Sequence, residues 1–289
     1  MTRQRRTLVL GATGLVGRQV VARLLEEGAE VGALARDPAT ARLPDDVEVT
    51  RGDLGALSGP GGADAPGGTD ALRSSLDGVE AVFLLWPFAT AEGMPALLDA
   101  VAARARRVVY LSSAAVREHE RRVERMIERS GLEWTILRPH AFAANALRWA
   151  EQIRAEAVVR EPYGEAAMPP LHERDLAAVA AHALLGDGHG GATYEPTGPE
   201  TMTQAEQARV IGEVTGRPVR WEEVSPPVAR RRMLDLGWPP PVADGVLAAQ
   251  AALVTGPRAA TDTVEKITGA PARTFRTWVT DHADAFTTP

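Results

Sequence analysis

The 289-residue chain has no cysteine. That excludes disulfides, thiolate metal sites and a thiol nucleophile. Lysine is nearly absent as well: Lys266 is the only one among 32 lysines and arginines, and there are only three tyrosines. No apolar run approaches the roughly 20 residues needed to span a membrane. Positive charge is not in excess; the net charge is -6 and the pI about 5.6, so a nucleic-acid role lacks its electrostatic footprint. The basic start, Met1 to Arg6, precedes an apolar stretch of four residues, too short for the core of a signal peptide. A cytoplasmic protein is expected. No spacing of His, Asp or Glu suggests a metal site, and no internal repeat is visible.

What is present begins with Gly11-Ala12-Thr13-Gly14-Leu15-Val16-Gly17. The apolar run Thr7–Leu10 leads into it and an amphipathic segment, Arg18–Glu27, leads out. That is strand, glycine turn, helix. Such a turn lets backbone approach a pyrophosphate, which then meets the helix's unpaired N–H groups and its dipole. Strands are expected at Glu30–Ala35, Val47–Arg51, Ala81–Leu85, Val108–Leu111 and Leu132–Leu137. Helices are expected at Asp70–Leu76, Met94–Arg104 and Arg117–Ser130. This alternation implies an α/β fold, a Rossmann-type doubly wound parallel sheet. Gly55–Thr69, rich in Gly, Ala, Pro and Asp, reads as a surface loop. Residues 1–145 are expected to form the dinucleotide-binding domain. Residues 146–289 are expected to form a smaller, mostly helical substrate lobe, some segments of which could rejoin the sheet. Its helices are expected at Ala146–Arg154, Glu173–Leu185, Gln204–Thr215, Val228–Leu236 and Arg273–Ala285, with Pro-rich breaks at 169–170, 226–227 and 239–241.

The end of the second strand chooses between cofactors. An acidic residue there would bind the ribose 2′-hydroxyl of NAD, whereas an arginine would meet the 2′-phosphate of NADP. Arg36 stands there, which favours NADPH over NADH, with Arg18 and Arg42 as candidate helpers. Asp53 is a candidate cap for the turn that follows. Trp86-Pro87-Phe88, at the carboxyl end of the fourth strand, either packs in the core or walls the cofactor.

The GxxGxxG spacing resembles the extended and atypical short-chain dehydrogenase/reductases. Ser130–Pro139 with Phe142 and Asn145, and Thr263–Gly269 before a final helix, resemble the NmrA-like atypical branch. The resemblance covers nearly the whole chain. It implies that Gly11, Thr13, Gly14, Leu15, Val16, Gly17, Arg36, Asp53, Leu54, Leu85, Trp86, Pro87, Pro139, His140 and Phe142 contact the cofactor. It also puts Ser113, with its neighbour Ser112, at the family's catalytic serine. His119 opens the helix where the family's tyrosine or its replacement stands; a solvated surface histidine is the alternative.

The superfamily's Tyr-x-x-x-Lys pair is absent. Four residues after Tyr110, Tyr163 and Tyr194 stand Ala114, Ala167 and Gly198. Hydride transfer to a simple ketone makes a strongly basic alkoxide that needs a positioned acid. Transfer to a quinone makes a phenolate, with a pKa near 10. The missing pair therefore points to an NADPH-dependent reductase of aromatic, polyketide-like or quinonoid small molecules, similar to antibiotic-pathway ketoreductases, acting as a monomer or homodimer. The alternative is a non-catalytic NADP-binding redox sensor of the NmrA type that works through a protein partner.

Overall fold

A computed structural model of the protein describes residues 5–58 and 69–287. Met1–Gln4 and positions 59–68 of the expected surface loop lie outside the described residues. Strands and helices follow the sequence in the order β1 (Arg6–Leu10), α1 (Leu15–Glu26), β2 (Glu30–Ala35), β3 (Val47–Arg51), α2 (Thr69–Ser75), β4 (Ala81–Leu85), α3 (Met94–Ala102), β5 (Arg107–Leu111), α4 (Glu118–Glu128) and β6 (Glu133–Leu137). Next come β7 (Ala141–Phe142), α5 (Ala150–Glu156), β8 (Val158–Glu161), β9 (Ala167–Met168), β10 (Pro170–Leu171), α6 (Glu173–Leu185), β11 (Ala192–Tyr194) and β12 (Met202–Thr203). The chain ends with α7 (Gln204–Thr215), β13 (Arg220–Glu223), α8 (Pro226–Asp235), α9 (Pro240–Thr255), α10 (Thr263–Thr268), α11 (Phe275–Asp281) and α12 (Asp284–Thr287).

Seven strands form one parallel sheet in the order β3-β2-β1-β4-β5-β6-β11. The order reverses between β1 and β4. This is the doubly wound, Rossmann-type arrangement, whose switch point is where such sheets take ligands. The strands are apolar on both sides because both faces are covered. Leu8, Leu10, Val82, Leu84, Val108 and Tyr110 pack with α2, α3 and α4 in one buried cluster. Helix α6 packs on α1, β4 and β5, and it is lined with small buried alanines, including Ala177, Ala180 and Ala181, which permit a close approach.

The chain divides into two units that interleave in sequence. The first comprises residues 1–139, 173–196 and 263–269; the second comprises 140–172, 197–262 and 270–289. A single cut after residue 145 does not describe this, because α6, β11 and α10 return to the sheet unit. Buried Arg107 helps hold that return: its guanidinium donates to the carbonyls of Leu184, at 2.9 Å, and Gly186, and pairs with Glu133 and Asp187. The second unit has its own core around Trp149, Phe275, Trp278 and Ile211. It is less purely helical than the sequence suggests, since β8 pairs with β13 and β9 with β12. Residues 143–149 form 3-10 turns before α5. The proline run at 239–241 opens α9 instead of interrupting the chain, with prolines in the first turn, where no intrahelical N–H is needed.

The first glycine turn is sterically fixed. Gly11 has φ +91°. A Cβ on Gly17 would lie 2.0 Å from the Gly11 carbonyl oxygen, whereas one on Gly14 would meet it at 3.5 Å. Gly17→Ala is therefore expected to cost about 2–3 kcal/mol, a fall of roughly 5–10 °C in Tm. Gly14→Ala should cost under about 1 kcal/mol. Thermal unfolding followed by circular dichroism checks this, and equal Tm values for the two variants would refute the steric account.

Candidate functional site

The glycine turn sits at the sheet's switch point. A Cβ on Gly11 would come within 3.1 Å of Leu85 Cβ, at the end of β4. The Gly14 N–H donates to the Gly11 carbonyl at 3.1 Å, and the first α1 bond runs from the Arg18 N–H to the Gly14 carbonyl at 3.0 Å. Gly14 is the N-cap and supplies no side-chain acceptor. The N–H groups of Leu15, Val16 and Gly17 thus open α1 without a side-chain cap. Thr13, Gly14 and Leu15 are exposed, while the Val16 side chain and Gly17 are buried. Val16 and Gly17 can therefore face a ligand only through backbone. An uncapped helix N-terminus behind a turn that excludes Cβ atoms fits a dinucleotide pyrophosphate.

At the end of β2, Arg36 is exposed, and no described residue pairs with it. Asp37 is committed: its carboxylate accepts from the Ala39 N–H at 3.3 Å and pairs with Arg51 at 3.3 Å. Of the two residues that could meet an adenine ribose, the arginine is the one left open. Arg18 is engaged within the chain. Its guanidinium donates to the carbonyls of Thr13, Ala41 and Arg42 at 3.0, 2.9 and 2.6 Å, tying the glycine turn to the segment after β2. Arg42 has φ +49°, a costly conformation for a non-glycine residue. Asp53 Oδ1 accepts from the Gly55 N–H at 2.8 Å, so it caps the following turn. Leu54 is half-buried against the core.

Trp86 belongs to the core. It is buried, meets Phe88 edge-on at 4.7 Å, and its indole N–H donates to the Thr90 carbonyl at 2.7 Å. A cofactor wall here is left to Leu85 and the exposed Pro87. The Ser112 hydroxyl donates to Glu124 Oε1 at 2.6 Å, so its proton is committed. Glu124, 2% exposed, also receives Arg138 through both oxygens, at 2.9 and 2.7 Å. This carboxylate holds the Arg138 pKa above its ordinary value. Nothing in the sequence singled out Glu124; its role follows from α4 turning it toward the ends of β5 and β6. Ser113 is half-buried, and its oxygen accepts from the Ala115 N–H at 3.2 Å, which leaves its own proton available for an acceptor. His119 opens into a separate recess of about 760 Å³ beside Leu57, Thr90 and Arg122, and neither serine lines it.

Two of the three tyrosines lie in the first unit. Tyr110 is buried on β5, where burial, then Glu120 and Glu124, push its pKa up. Tyr194 contacts His189 Nδ1 at 2.9 Å, and burial raises its pKa too. Tyr163 stands in the second unit at φ +62°. Pro139 is buried at the end of the first unit. His140 and Phe142 line a cavity of about 410 Å³ within the second unit, together with Arg148, Gln204 and Trp238. Among the described residues no group of acids, histidines or cysteines could hold a metal ion, and no helix is long and apolar enough to cross a membrane.

Replacing Glu124 with Gln keeps an acceptor for Ser112 but leaves Arg138 without its counter-charge. The expected loss is about 2–3 kcal/mol of stability, below the figure for a fully buried pair because Arg138 is partly exposed. Urea unfolding measures it, and an unchanged midpoint and slope would remove the bracing role.

The NAD(P)H-binding family model matches residues 11–186. The chain is 40% identical to the (4-alkanoyl-5-oxo-2,5-dihydrofuran-3-yl)methyl phosphate reductase of Streptomyces griseus, over 96% of this chain and 98% of that one. It is 31% identical to the NAD(P)H azoreductase of Xenophilus azovorans, over 96% and 98%. Its fold is similar to that of the Escherichia coli NADPH-dependent quinone oxidoreductase solved with NADPH, with a TM-score of 0.78, 22% identity, and 96% and 99% of the two chains covered. The chain belongs to the NAD(P)H-binding family and is an NAD(P)H-dependent oxidoreductase of the atypical short-chain dehydrogenase/reductase type.

Proposed function

We propose that this oxidoreductase reduces a conjugated small-molecule acceptor, an aromatic or polyketide-like ketone, a quinone or an enone, with hydride from NADPH. The observation that carries the reading is the pairing of an open dinucleotide cradle with a site that has no phenol–ammonium acid. Bound NADPH supplies the hydride. The chain's own part is to orient and polarise. Ser113 donates its hydroxyl proton toward the acceptor oxygen, and Arg36 selects the 2′-phosphate. Serine is a weak acid, so the negative charge left on the product must be delocalised. Quinones and conjugated carbonyls meet that condition, because they yield phenolates or enolates instead of simple alkoxides. The names of the relatives fit the same condition: a reductase of an alkanoyl dihydrofuranone phosphate, an azoreductase and a quinone oxidoreductase. The second unit supplies the substrate pocket, with His140 and Phe142 in its wall. We place the reaction in the cytoplasm, in a monomer or homodimer.

Arg36→Ala should weaken NADPH about tenfold or more relative to NADH, the loss of a charge-assisted phosphate contact. Equal relative affinities, measured by titrating cofactor fluorescence, would remove the NADPH preference. NADPH oxidation, followed by absorbance against quinones, conjugated enones and polycyclic ketones, should give turnover that Gly14→Trp abolishes. Ser113→Ala should lower kcat about 10–100-fold on ketones and less on quinones. Tight NADPH binding with no turnover on any acceptor would overturn the reading in favour of the sensor.

A further inference from the structure

The second unit's cavity has an unusual charge pattern for a chain of net charge -6. Its lining includes Arg148, His140 and the side-chain amides of Asn145, Gln204, Gln207 and Gln250, and no carboxylate. Apolar surface comes from Trp149, Met168 and Trp238, and from Val246, Ala249 and Leu253 on α9. The spacing of Val246, Ala249, Gln250 and Leu253 puts one face of α9 on the cavity. A volume of about 410 Å³ falls in the range of small-molecule sites.

Arg148 is the feature that calls for a ligand. Its guanidinium lies 5.3 Å from the Trp149 ring centroid, and Nη2 donates to Gln204 Oε1 at 2.6 Å. No carboxylate among the described residues is within ion-pair distance of it. Arg148 is exposed and lines the recess. Desolvation pushes its pKa down, opposed by the field of Glu161. An arginine stays charged, and a ligand anion in the recess would supply the counter-charge that the cavity lining does not. The support behind Arg148 is rigid. Gln204 is buried and donates through Nε2 to the Tyr163 carbonyl at 2.9 Å, which fixes Oε1 toward the arginine. Gln250, also buried, donates to the same Oε1 at 3.4 Å, and its own oxygen has no partner among the described residues.

We infer that this cavity binds an oxyanion carried on an apolar or aromatic body, a phosphate monoester or a carboxylate, with Arg148 as the anion contact. Asn145 and Gln207 stand beside it as further donors, and the Trp149, Trp238 and α9 surfaces hold the apolar part. The inference rests on reading the second unit as the substrate-binding part of the reductase, and it makes Arg148 a specificity-determining residue for acceptors that carry a negative charge.

The test is isothermal titration calorimetry of the full chain, without NADPH, using 1-naphthyl phosphate, 1-naphthoate and neutral 1-naphthol. At least one anion is expected to bind about tenfold or more tightly than the naphthol, and the tighter of the two identifies the anion class. Arg148→Gln keeps an N–H for Gln204 but removes the charge; it should abolish the preference while NADPH affinity stays unchanged. Arg148→Lys should retain part of it. Equal binding of naphthol and both anions to the unmodified chain overturns the inference without needing any variant, as does a preference that survives in Arg148→Gln. Because the assay involves no turnover, anion preference without NADPH oxidation would sink the reductase reading and leave this site standing. Oxidation without anion preference would do the reverse.

Discussion

The contact between Gly17 and the Gly11 carbonyl governs the first unit. The first turn of α1 lies so close to the end of β1 that no side-chain carbon fits between them. That closeness places uncapped N–H groups at the point where the strand order reverses, with Leu85 of β4 on the other side. Arg18 then ties the turn to the carbonyls of residues 41 and 42, so the segment following β2 is held to the glycine turn. A rigid backbone frame of this kind suits recognition of a pyrophosphate, which carries charge but few distinctive side-chain targets.

The carboxyl ends of β5 and β6 are organised around a different interaction. Glu124 gathers Ser112 from one strand end and Arg138 from the other. Four residues earlier on the same helix, Glu120 accepts from the Arg117 N–H at 2.7 Å and closes the helix start. The inward-facing pair at i and i+4 on α4 is thus two mostly buried carboxylates. Acidic side chains so paired brace the site and offer no phenolic proton. Ser113, at the same end of β5, is bound to neither of these carboxylates; its oxygen accepts from the Ala115 N–H.

The second unit divides its labour differently. Its aromatic core is closed around Trp149 and Trp278, while its cavity wall is amide-rich and cationic. A 3-10 segment brings Asn145, Arg148 and Trp149 together, α7 brings Gln204 and Gln207, and α9 brings the covering face. These groups lie up to about a hundred residues apart in the chain.

Six of the sheet's seven strands, to within a residue at their ends, and the glycine turn could be read from the sequence because they rest on local patterns: apolar runs of strand length, a glycine spacing, and helix periods between them; β11 was not expected. Strands β2, β3 and β4 match their expected bounds residue for residue. The missing tyrosine–lysine pair was equally legible, being a matter of spacing alone. Other features depended on partners distant in sequence. Small alanines on α6 suit either unit until α1 is there to receive them. Prolines at 239–241 read as a break until α9 forms behind them. That Glu124 receives the Ser112 hydroxyl and that Arg18 meets the carbonyls of residues 41 and 42 each depend on a group brought close only by the fold. Local sequence determined which segments become strand, turn and helix, because those preferences act over a few residues. Tertiary structure decided which polar groups are committed and which stay open, because hydrogen bonds and desolvation depend on what the rest of the chain places within about 3 Å.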